Sequence, residues 1–241
     1  MNVFFLVVAR DRKHVKEKID ELTKLHVPFV IICGEKLPLS HVVFRKAKGK
    51  YDAINYGSKY VDDEAELICL NDVDTEIHNF KEALKFFNRK KTDMIFCKVV
   101  VTKGPQVYFY PLLDSIRRRV LITASGELMV IRSELFRKLL PLPQCESEDT
   151  YMLFKALELG YKAYFCEKCW TETERTETLT EEASYKERTV RGIYQALRYS
   201  TPPLVIRLFY AVLPLFTPLL AIYGKKGFSW IKGILDGVTS R

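Results

Sequence analysis

The most informative stretch of this sequence reads Leu67-Ile68-Cys69-Leu70-Asn71-Asp72-Val73-Asp74-Thr75. An apolar, strand-like run ends in two aspartates at positions i and i+2, which project to the same side of an extended backbone. Two converging carboxylates suit a hard divalent cation, and Mg²⁺ usually takes one or two protein carboxylates plus substrate phosphates. The stretch therefore predicts a buried strand that presents a metal and a diphosphate at its carboxyl end, with a solvated turn as the alternative.

Similar apolar runs recur along the first two thirds of the chain and alternate with helix-like stretches. The runs are Val3 to Val8, Phe29 to Cys33, Leu67 to Leu70, Met94 to Val101 and Leu128 to Ile131. Continuous apolar strands between helices indicate an α/β fold with a mostly parallel central sheet that helices cover on both faces. In such a sheet the ligand crevice lies at the carboxyl ends of the strands. Arg10, Glu35 and Asp72 end three of these runs and are therefore candidate ligand contacts.

Three further motifs surround the acidic strand. Lys50 and Asp52 open a helix just before it, where a lysine and free backbone amides favour a phosphorylated ligand. Gly126 lies in a small-residue turn that permits close approach of a ligand. Glu148 and Asp149 stand at the start of a later helix. They either stabilise the helix N-terminus or accept a proton from an attacking hydroxyl.

The order of these pieces is recognisable. Gly49-Lys50-x-x-Ala53-x-Asn55-x-Gly57, Asp72-Val73-Asp74-Thr75, Ser125-Gly126, Glu148-Asp149 and Gly160-Tyr161-Lys162 resemble the motifs of the family 2 glycosyltransferases of GT-A fold. The resemblance covers about Val3 to Gly192, most of the chain. It implies metal-dependent, inverting transfer of a sugar from a nucleotide-diphosphate sugar to an acceptor hydroxyl.

The resemblance also implies roles for individual residues. Asp72 would contact the nucleotide sugar, Asp74 would hold Mg²⁺ or Mn²⁺ together with Asp72, and Asp149 would be the catalytic base with Glu148 beside it. The nucleotide or diphosphate path would include Lys50, Asp52, Asn55 and Gly126, with Arg10 and Glu35 near the base.

The ends of the first two strands depart from the family's usual pattern, which leaves the donor base and sugar open. Arg188 is the residue that remains of the Gln-x-x-Arg-Trp motif of polymer-making relatives. It would approach the diphosphate, and the loss of the rest of the motif argues against processive synthesis.

Positive charge is concentrated at the end of the chain. The formal net charge is +8, and the residues from Tyr185 onward hold nine basic and two acidic side chains. The nearly neutral remainder gives no sign of nucleic-acid binding. We therefore divide the chain into a catalytic domain over 1–199 and a basic, apolar helical segment over 200–241.

The C-terminal segment is typical of a membrane-associating region. Leu204 to Tyr223 is almost wholly apolar, Pro214 and Pro218 interrupt it, and Lys225 and Lys226 flank it. The alternative is a helical hairpin packed on the domain or on a partner subunit of a homo-oligomer. Membrane contact makes a lipid-linked acceptor one option.

We read no signal peptide before Val3 and expect a cytoplasmic protein, peripheral or integral on the cytoplasmic side of the membrane. The six cysteines lie mostly in apolar runs, as reduced thiols in a core do. The lone Cys166-x-x-Cys169 motif lacks the second pair that a structural zinc site needs.

Two other functions remain open from the sequence. A nucleotidyltransferase of similar fold would normally carry a glycine-rich basic loop after the first strand, and Arg10-Asp11-Arg12-Lys13 has no glycine. A binding or scaffold protein on an inactive glycosyltransferase fold would explain the atypical strand ends.

Overall fold

One mixed sheet forms the centre of the molecule in the computed structural model, which describes residues 1–89, 91–174 and 178–240. Its eight strands, counted over those ranges, stand in the order β3-β2-β1-β4-β7-β6-β8-β5. They are β1 (Val3–Ala9), β2 (Phe29–Cys33), β3 (Val42–Phe44), β4 (Leu67–Asp72), β5 (Glu76–His78), β6 (Met94–Val101), β7 (Leu128–Arg132) and β8 (Ala163–Thr173). Each of the five apolar runs in the sequence forms one of these strands.

Both faces of the sheet are buried because successive side chains of the apolar strands enter opposite cores. Along β1, Phe4 and Leu6 belong to one hydrophobic cluster, whereas Phe5 and Val7 belong to the other. All six cysteines are buried and free. The α/β class predicted from continuous apolar runs is therefore confirmed.

The direction of β7 positions the site. β1 pairs in parallel with β2 and β4, whereas β7 runs antiparallel to both β4 and β6. Asn71 near the end of β4 therefore lies opposite Leu128 at the start of β7. The turn before β7, which contains Gly126, meets the carboxyl end of β4, and the Asp72 backbone N–H donates to the Glu127 carbonyl at 3.3 Å.

Helices cover the sheet and extend beyond it. They are α1 (Val15–Lys24), α2 (Lys50–Gly57), α3 (Phe80–Arg89), α4 (Tyr110–Arg117), α5 (Ser133–Leu139), α6 (Glu148–Glu158), α7 (Leu179–Tyr199), α8 (Leu204–Phe216) and α9 (Gly224–Thr239). A reciprocal capping box between Thr178 and Glu181 starts α7. Gly160, at φ 81°, follows the end of α6, as the sequence predicts for a glycine that terminates a helix.

The C-terminal segment folds back on the domain. A 3₁₀ helix (Thr217–Tyr223) follows α8, and Gly224 at φ 60° starts α9. Because α9 has glycines at its contact with α7, the two backbones approach closely: an added Cβ on Gly233 would lie 2.4 Å from the Ala183 carbonyl oxygen. The boundary after residue 199 stays a prediction, and Arg241, its last residue, lies outside the described ranges.

By length and composition, one helical stretch among the described residues could cross a membrane, Leu204–Thr239, with a mean hydropathy of 2.0 in its most apolar window. Only 17% of that window is buried. The turn at Gly224 divides the stretch, and α8 alone has 13 residues. At 1.5 Å per residue α8 is about 20 Å long, which is shorter than the roughly 30 Å hydrocarbon core of a bilayer.

Candidate active site

A pocket of about 600 Å³ opens at the carboxyl ends of β1, β2 and β4. Asp72, the last residue of β4, and Asp74, two residues beyond it, both line this pocket. Seven Lys or Arg side chains face four Asp side chains around this basic pocket. The basic residues are Arg10, Lys13, Arg45, Lys46, Lys48, Lys50 and Arg188. Their excess of positive charge suits an anionic ligand such as a diphosphate.

Four of these basic residues were not predicted as site residues, and Lys13 is one of them. Arg45, Lys46 and Lys48 come from the loop that precedes α2. The signal was present, because four of the six residues from Arg45 to Lys50 are basic. Of these four, only Lys50 was predicted to contact the ligand, because a lysine at the start of a helix is a familiar phosphate-binding pattern.

Lys50 connects the two groups of acidic residues that the sequence singled out. Its ammonium lies 2.7 Å from Oδ1 of Asp72 and 3.1 Å from Oε1 of Glu148. It also donates to the Gly126 carbonyl at 3.1 Å. The end of β4, the turn before β7 and the start of α6 therefore meet at one side chain.

The absence of a side chain at Gly126 makes this meeting possible. A Cβ at that position would stand 2.8 Å from the Lys50 ammonium and 3.1 Å from Oδ2 of Asp149. The groups that approach closely at this turn are the chain's own lysine and carboxylate; Gly126 does not line the basic pocket among the described residues, so its contact with a ligand stays a prediction.

Burial shifts the ionisation of the two carboxyl groups at the start of α6. It raises the pKa of Glu148 to about 7, against the attraction of Lys50, and it raises the pKa of Asp149 in the same way. Burial also opposes the charge of Lys50, but Asp72, Glu148 and Asp149 outweigh this effect and raise the lysine pKa. A carboxylate with a raised pKa is the kind that accepts a proton near neutral pH.

The turn that holds Asp74 is braced from behind by a buried lysine that the sequence analysis did not select. The Lys18 ammonium lies 2.6 Å from Oε2 of Glu21 and donates to the Thr75 carbonyl. Asn71 donates to the Thr75 hydroxyl at 2.9 Å. These contacts hold the turn after β4 against α1.

Three predicted residues have other contacts. Asp52 lines the basic pocket, but its two oxygens accept from Arg45, each at 2.9 Å, and this bond lowers the Asp52 pKa. Asn55 is bonded through both ends of its amide to the backbone of Leu142. Glu35 pairs with Arg12. Among the described residues, Asn55 and Glu35 do not line the basic pocket, so their binding roles stay predictions.

The donor set for a metal ion is small. No group of three or more His, Cys, Asp or Glu side chains over 1–89, 91–174 and 178–240 is placed to hold one. Asp72 and Asp74 nevertheless line one pocket, and a divalent cation needs only one or two protein carboxylates when substrate phosphates complete its coordination. Asp72 and Asp74 therefore fit a cation that binds together with a phosphorylated ligand.

Comparison with solved structures identifies the architecture. A mannosyltransferase from Pyrobaculum calidifontis, solved in complex with GDP-Man and Mn²⁺, superposes with a TM-score of 0.71 at 14% identity, over 98% of this chain and 86% of that one. The chain has the GT-A glycosyltransferase fold. The site described above thus stands at the end of the sheet in a GT-A framework.

Two further structures share this GT-A architecture. Glucosyl-3-phosphoglycerate synthase from M. tuberculosis gives a TM-score of 0.54 at 12% identity, over 81% of this chain and 80% of that one. GalNAc-T7, solved with UDP, GalNAc and Mn²⁺, gives 0.55 at 12% identity, over 80% of this chain and 48% of that one. No family model matches the sequence, and a search of curated proteins finds no match. At these identities the likeness establishes the fold.

Proposed function

We propose that this protein is a metal-dependent, inverting glycosyltransferase of the family 2 type, which transfers a sugar from a nucleotide-diphosphate sugar to an acceptor hydroxyl at a membrane surface. One observation carries the proposal. The Lys50 ammonium joins Asp72, at the edge of the basic pocket, to Glu148 at the start of α6. A donor site and a candidate base thereby meet within the reach of one side chain, in a GT-A framework.

The donor would lie in the basic pocket. The positive side chains there balance a diphosphate, and they include Arg188 from α7 and Lys50 from α2. Asp74 and Asp72 would hold Mg²⁺ or Mn²⁺. Such a cation, when bound, stabilises the negative charge that develops on the leaving diphosphate. The structures of similar fold that contain nucleotide sugars or nucleotides with Mn²⁺ support this assignment.

Asp149 would be the catalytic base. The acceptor oxygen attacks the anomeric carbon, the bond from that carbon to the diphosphate oxygen breaks, and the hydroxyl proton passes to the Asp149 carboxylate. A single displacement of this kind inverts the anomeric configuration. Glu148 and Lys50 act on Asp149 through their charges, since both contribute to the same buried cluster.

Membrane association is supported by the exposed apolar residues of α8 and of the 3₁₀ helix that follows it in the sequence. Leu204, Leu208, Leu215, Leu219 and Ile222 are each more than half exposed. Groups of exposed apolar side chains often mark membrane or protein interaction sites, and Lys225 and Lys226 at the start of α9 directly follow these segments in the sequence. Because α8 is too short to span the bilayer, we place it in the interface on the cytoplasmic side, where a lipid-linked acceptor would be within reach.

Calorimetry of nucleotide diphosphates in the presence of Mn²⁺ tests the donor site. We expect one nucleoside diphosphate to bind and the Asp74→Ala variant to lose that binding. Asp63→Ala is the matched control, since the Asp63 side chain is fully exposed and pairs with Arg137. If no nucleotide binds, the chain is a scaffold on this fold. If a nucleoside triphosphate reacts with a sugar phosphate to release pyrophosphate, the chain is a nucleotidyltransferase.

A further inference from the structure

A second cavity, of about 230 Å³, lies beneath the C-terminal helices and is distinct from the basic pocket. Helices α4, α7, α8 and α9 supply its walls, which are mostly apolar. The apolar lining includes Phe109, Leu113, Ile116, Leu213, Leu220 and Trp230. We call it the apolar cavity. Its volume is below the roughly 300–1,000 Å³ of sites that enclose a drug-sized ligand, so it can hold only part of a long molecule.

The candidate base Asp149 is one of the residues that line the apolar cavity. Asp149 and Ser125 line the cavity, and Ser125 directly precedes the Gly126 turn on which Lys50 and Asp149 meet. Of the residues in the Lys50 cluster, only Asp149 lines this cavity, whereas Lys50 and Asp72 line the basic pocket. The candidate base therefore borders a cavity separate from the donor pocket, as a second substrate requires.

Buried donors without partners show that the ligand is not purely apolar. Arg117 lines the cavity with 3% of its surface exposed. Its Nη2 donates to the Ala124 carbonyl at 3.0 Å and its Nη1 stands 3.5 Å from Asp114, but its Nε has no partner among the described residues. Trp230 Nε1, in another wall of the cavity, is likewise unpaired within the described part of the chain.

Unpaired buried N–H groups are costly and rare in folded proteins. The Lys186 ammonium, 3.8 Å from the centre of the Trp230 ring, adds a second positive charge to the lining. Asp149 and Glu127 are the acidic side chains there. A ligand with acceptor oxygens or a negative charge would satisfy the two free N–H groups.

The cavity is also formed in part by the helical segments that we place at the membrane. Leu213 and Leu220 line the cavity, and Leu215 and Leu219 on the same two helical segments are 76% and 64% exposed. The same two segments therefore border both the cavity and the exposed apolar surface, as a ligand with its head in the cavity and its alkyl chain in the membrane requires.

We propose that the apolar cavity holds the first apolar segment of an anionic amphiphile, whose polar head reaches Asp149 and whose remaining chain stays in the membrane. The inference rests on the proposed function only in taking Asp149 as the base for the acceptor. It assigns the acceptor a chemical class, a lipid with an anionic head.

Trp230 provides a direct probe of occupancy. The chain has two tryptophans, and Trp170 lies on β8, stacked on His78. In a Trp170→Phe background the remaining fluorescence comes from the cavity wall. A bromine atom quenches tryptophan on contact, so ω-bromoundecyl phosphate, titrated below its critical micelle concentration into the full-length protein, reports entry of an alkyl chain.

We expect saturable quenching by ω-bromoundecyl phosphate and weaker binding of uncharged ω-bromoundecanol. Leu213→Phe and Leu220→Phe fill the cavity and should raise the half-saturating concentration about tenfold, the effect of excluding one or two methylene groups. Leu215→Phe is the matched control on the exposed face and should leave that concentration unchanged. Circular dichroism confirms that each variant is folded.

Three results would overturn the proposal. If quenching does not saturate, or if Leu215→Phe weakens it as much as Leu213→Phe does, the alkyl chain binds on the outer surface of α8. Equal quenching by the alcohol would remove the requirement for an anionic head. Because nucleotide binding is measured separately, a failure of the donor site leaves this titration unaffected, and a failure here leaves nucleotide binding intact.

Discussion

Lys50→Met is the most informative single change in the buried cluster. The variant keeps the size of the side chain but leaves Asp72 and Glu148 without the ammonium that stands 2.7 and 3.1 Å from them. Removing one partner of a buried ion pair costs about 3–5 kcal/mol. Lys50 and Asp72 retain 25% and 27% side-chain exposure, so water offsets part of this loss. We therefore expect a destabilisation of about 2 kcal/mol at pH 8, below that range.

The effect should depend on pH in a defined direction. Without Lys50 the folded-state pKa values of Glu148 and Asp149 rise further above those of the unfolded chain. The folded variant then binds more protons than the unfolded chain in that pH window, so acidification stabilises it relative to the parent protein. The difference between the two proteins should be largest at pH 8 and should shrink towards pH 5.

Thermal unfolding of the full chain at both pH values measures this difference. A loss of about 2 kcal/mol lowers the midpoint by about 4–8 °C in a protein of this size. Lys50→Arg should recover most of the loss because it keeps the charge, and Lys16→Met, an exposed lysine on α1, should change little. A loss that is the same at pH 8 and pH 5 would refute the electrostatic account of the cluster.

Three further outcomes follow from the same geometry. Arg45→Gln removes a positive charge from the basic pocket and the bidentate bond to Asp52. It should therefore weaken nucleotide-diphosphate binding about tenfold in calorimetry, and unchanged affinity would exclude Arg45 from the donor site. The acid limb of the kcat/KM profile should lie above the usual range of an aspartate, since burial raises the pKa of the proposed base Asp149, which acts only when deprotonated; a limb near pH 4, about the ordinary value of an aspartate, would contradict this. A Leu208→Ser, Leu215→Ser double variant should bind anionic vesicles about 100-fold more weakly in sedimentation, whereas Leu159→Ser, at an exposed leucine just after α6, should not; equal binding by all three proteins would exclude α8 as the membrane surface.

The sequence was most informative about the strands of the core. Five apolar runs predicted five strands because buried strands need uninterrupted apolar residues. β8 was missed because polar residues such as Glu167 and Lys168 interrupt it, and its pairing with β6 shifts register after Cys97. β3 and β5 have three residues each and leave little pattern in a sequence.

The sequence predicted which segments form the candidate site, but it could not predict which side chains contact one another there. The order of motifs brought Lys50, Asp72 and Glu148 into one hypothesis. In the structure, Oδ1 of Asp72 and Oε1 of Glu148 lie 2.7 and 3.1 Å from Lys50 Nζ. The antiparallel direction of β7, which delivers Gly126 to this point, has no signature in a short apolar run. The bond of the Asn55 side chain to the Leu142 backbone joins α2 to a loop 87 residues away in sequence, so periodicity cannot reveal it.

The central claim is that Asp149 activates the acceptor, and nucleotide release from a panel of nucleotide sugars in Mn²⁺ or Mg²⁺ tests it most directly. Asp149→Asn should lower the rate by about 10²–10⁴-fold, the usual contribution of a general base, while nucleotide-diphosphate affinity stays within about twofold. Glu146→Gln, which alters a carboxylate that pairs with Arg191 just before α6, is the matched control and should keep its activity. An Asp149→Asn variant that releases nucleotide at the parent rate, or a Glu146→Gln variant that loses as much, would contradict the account.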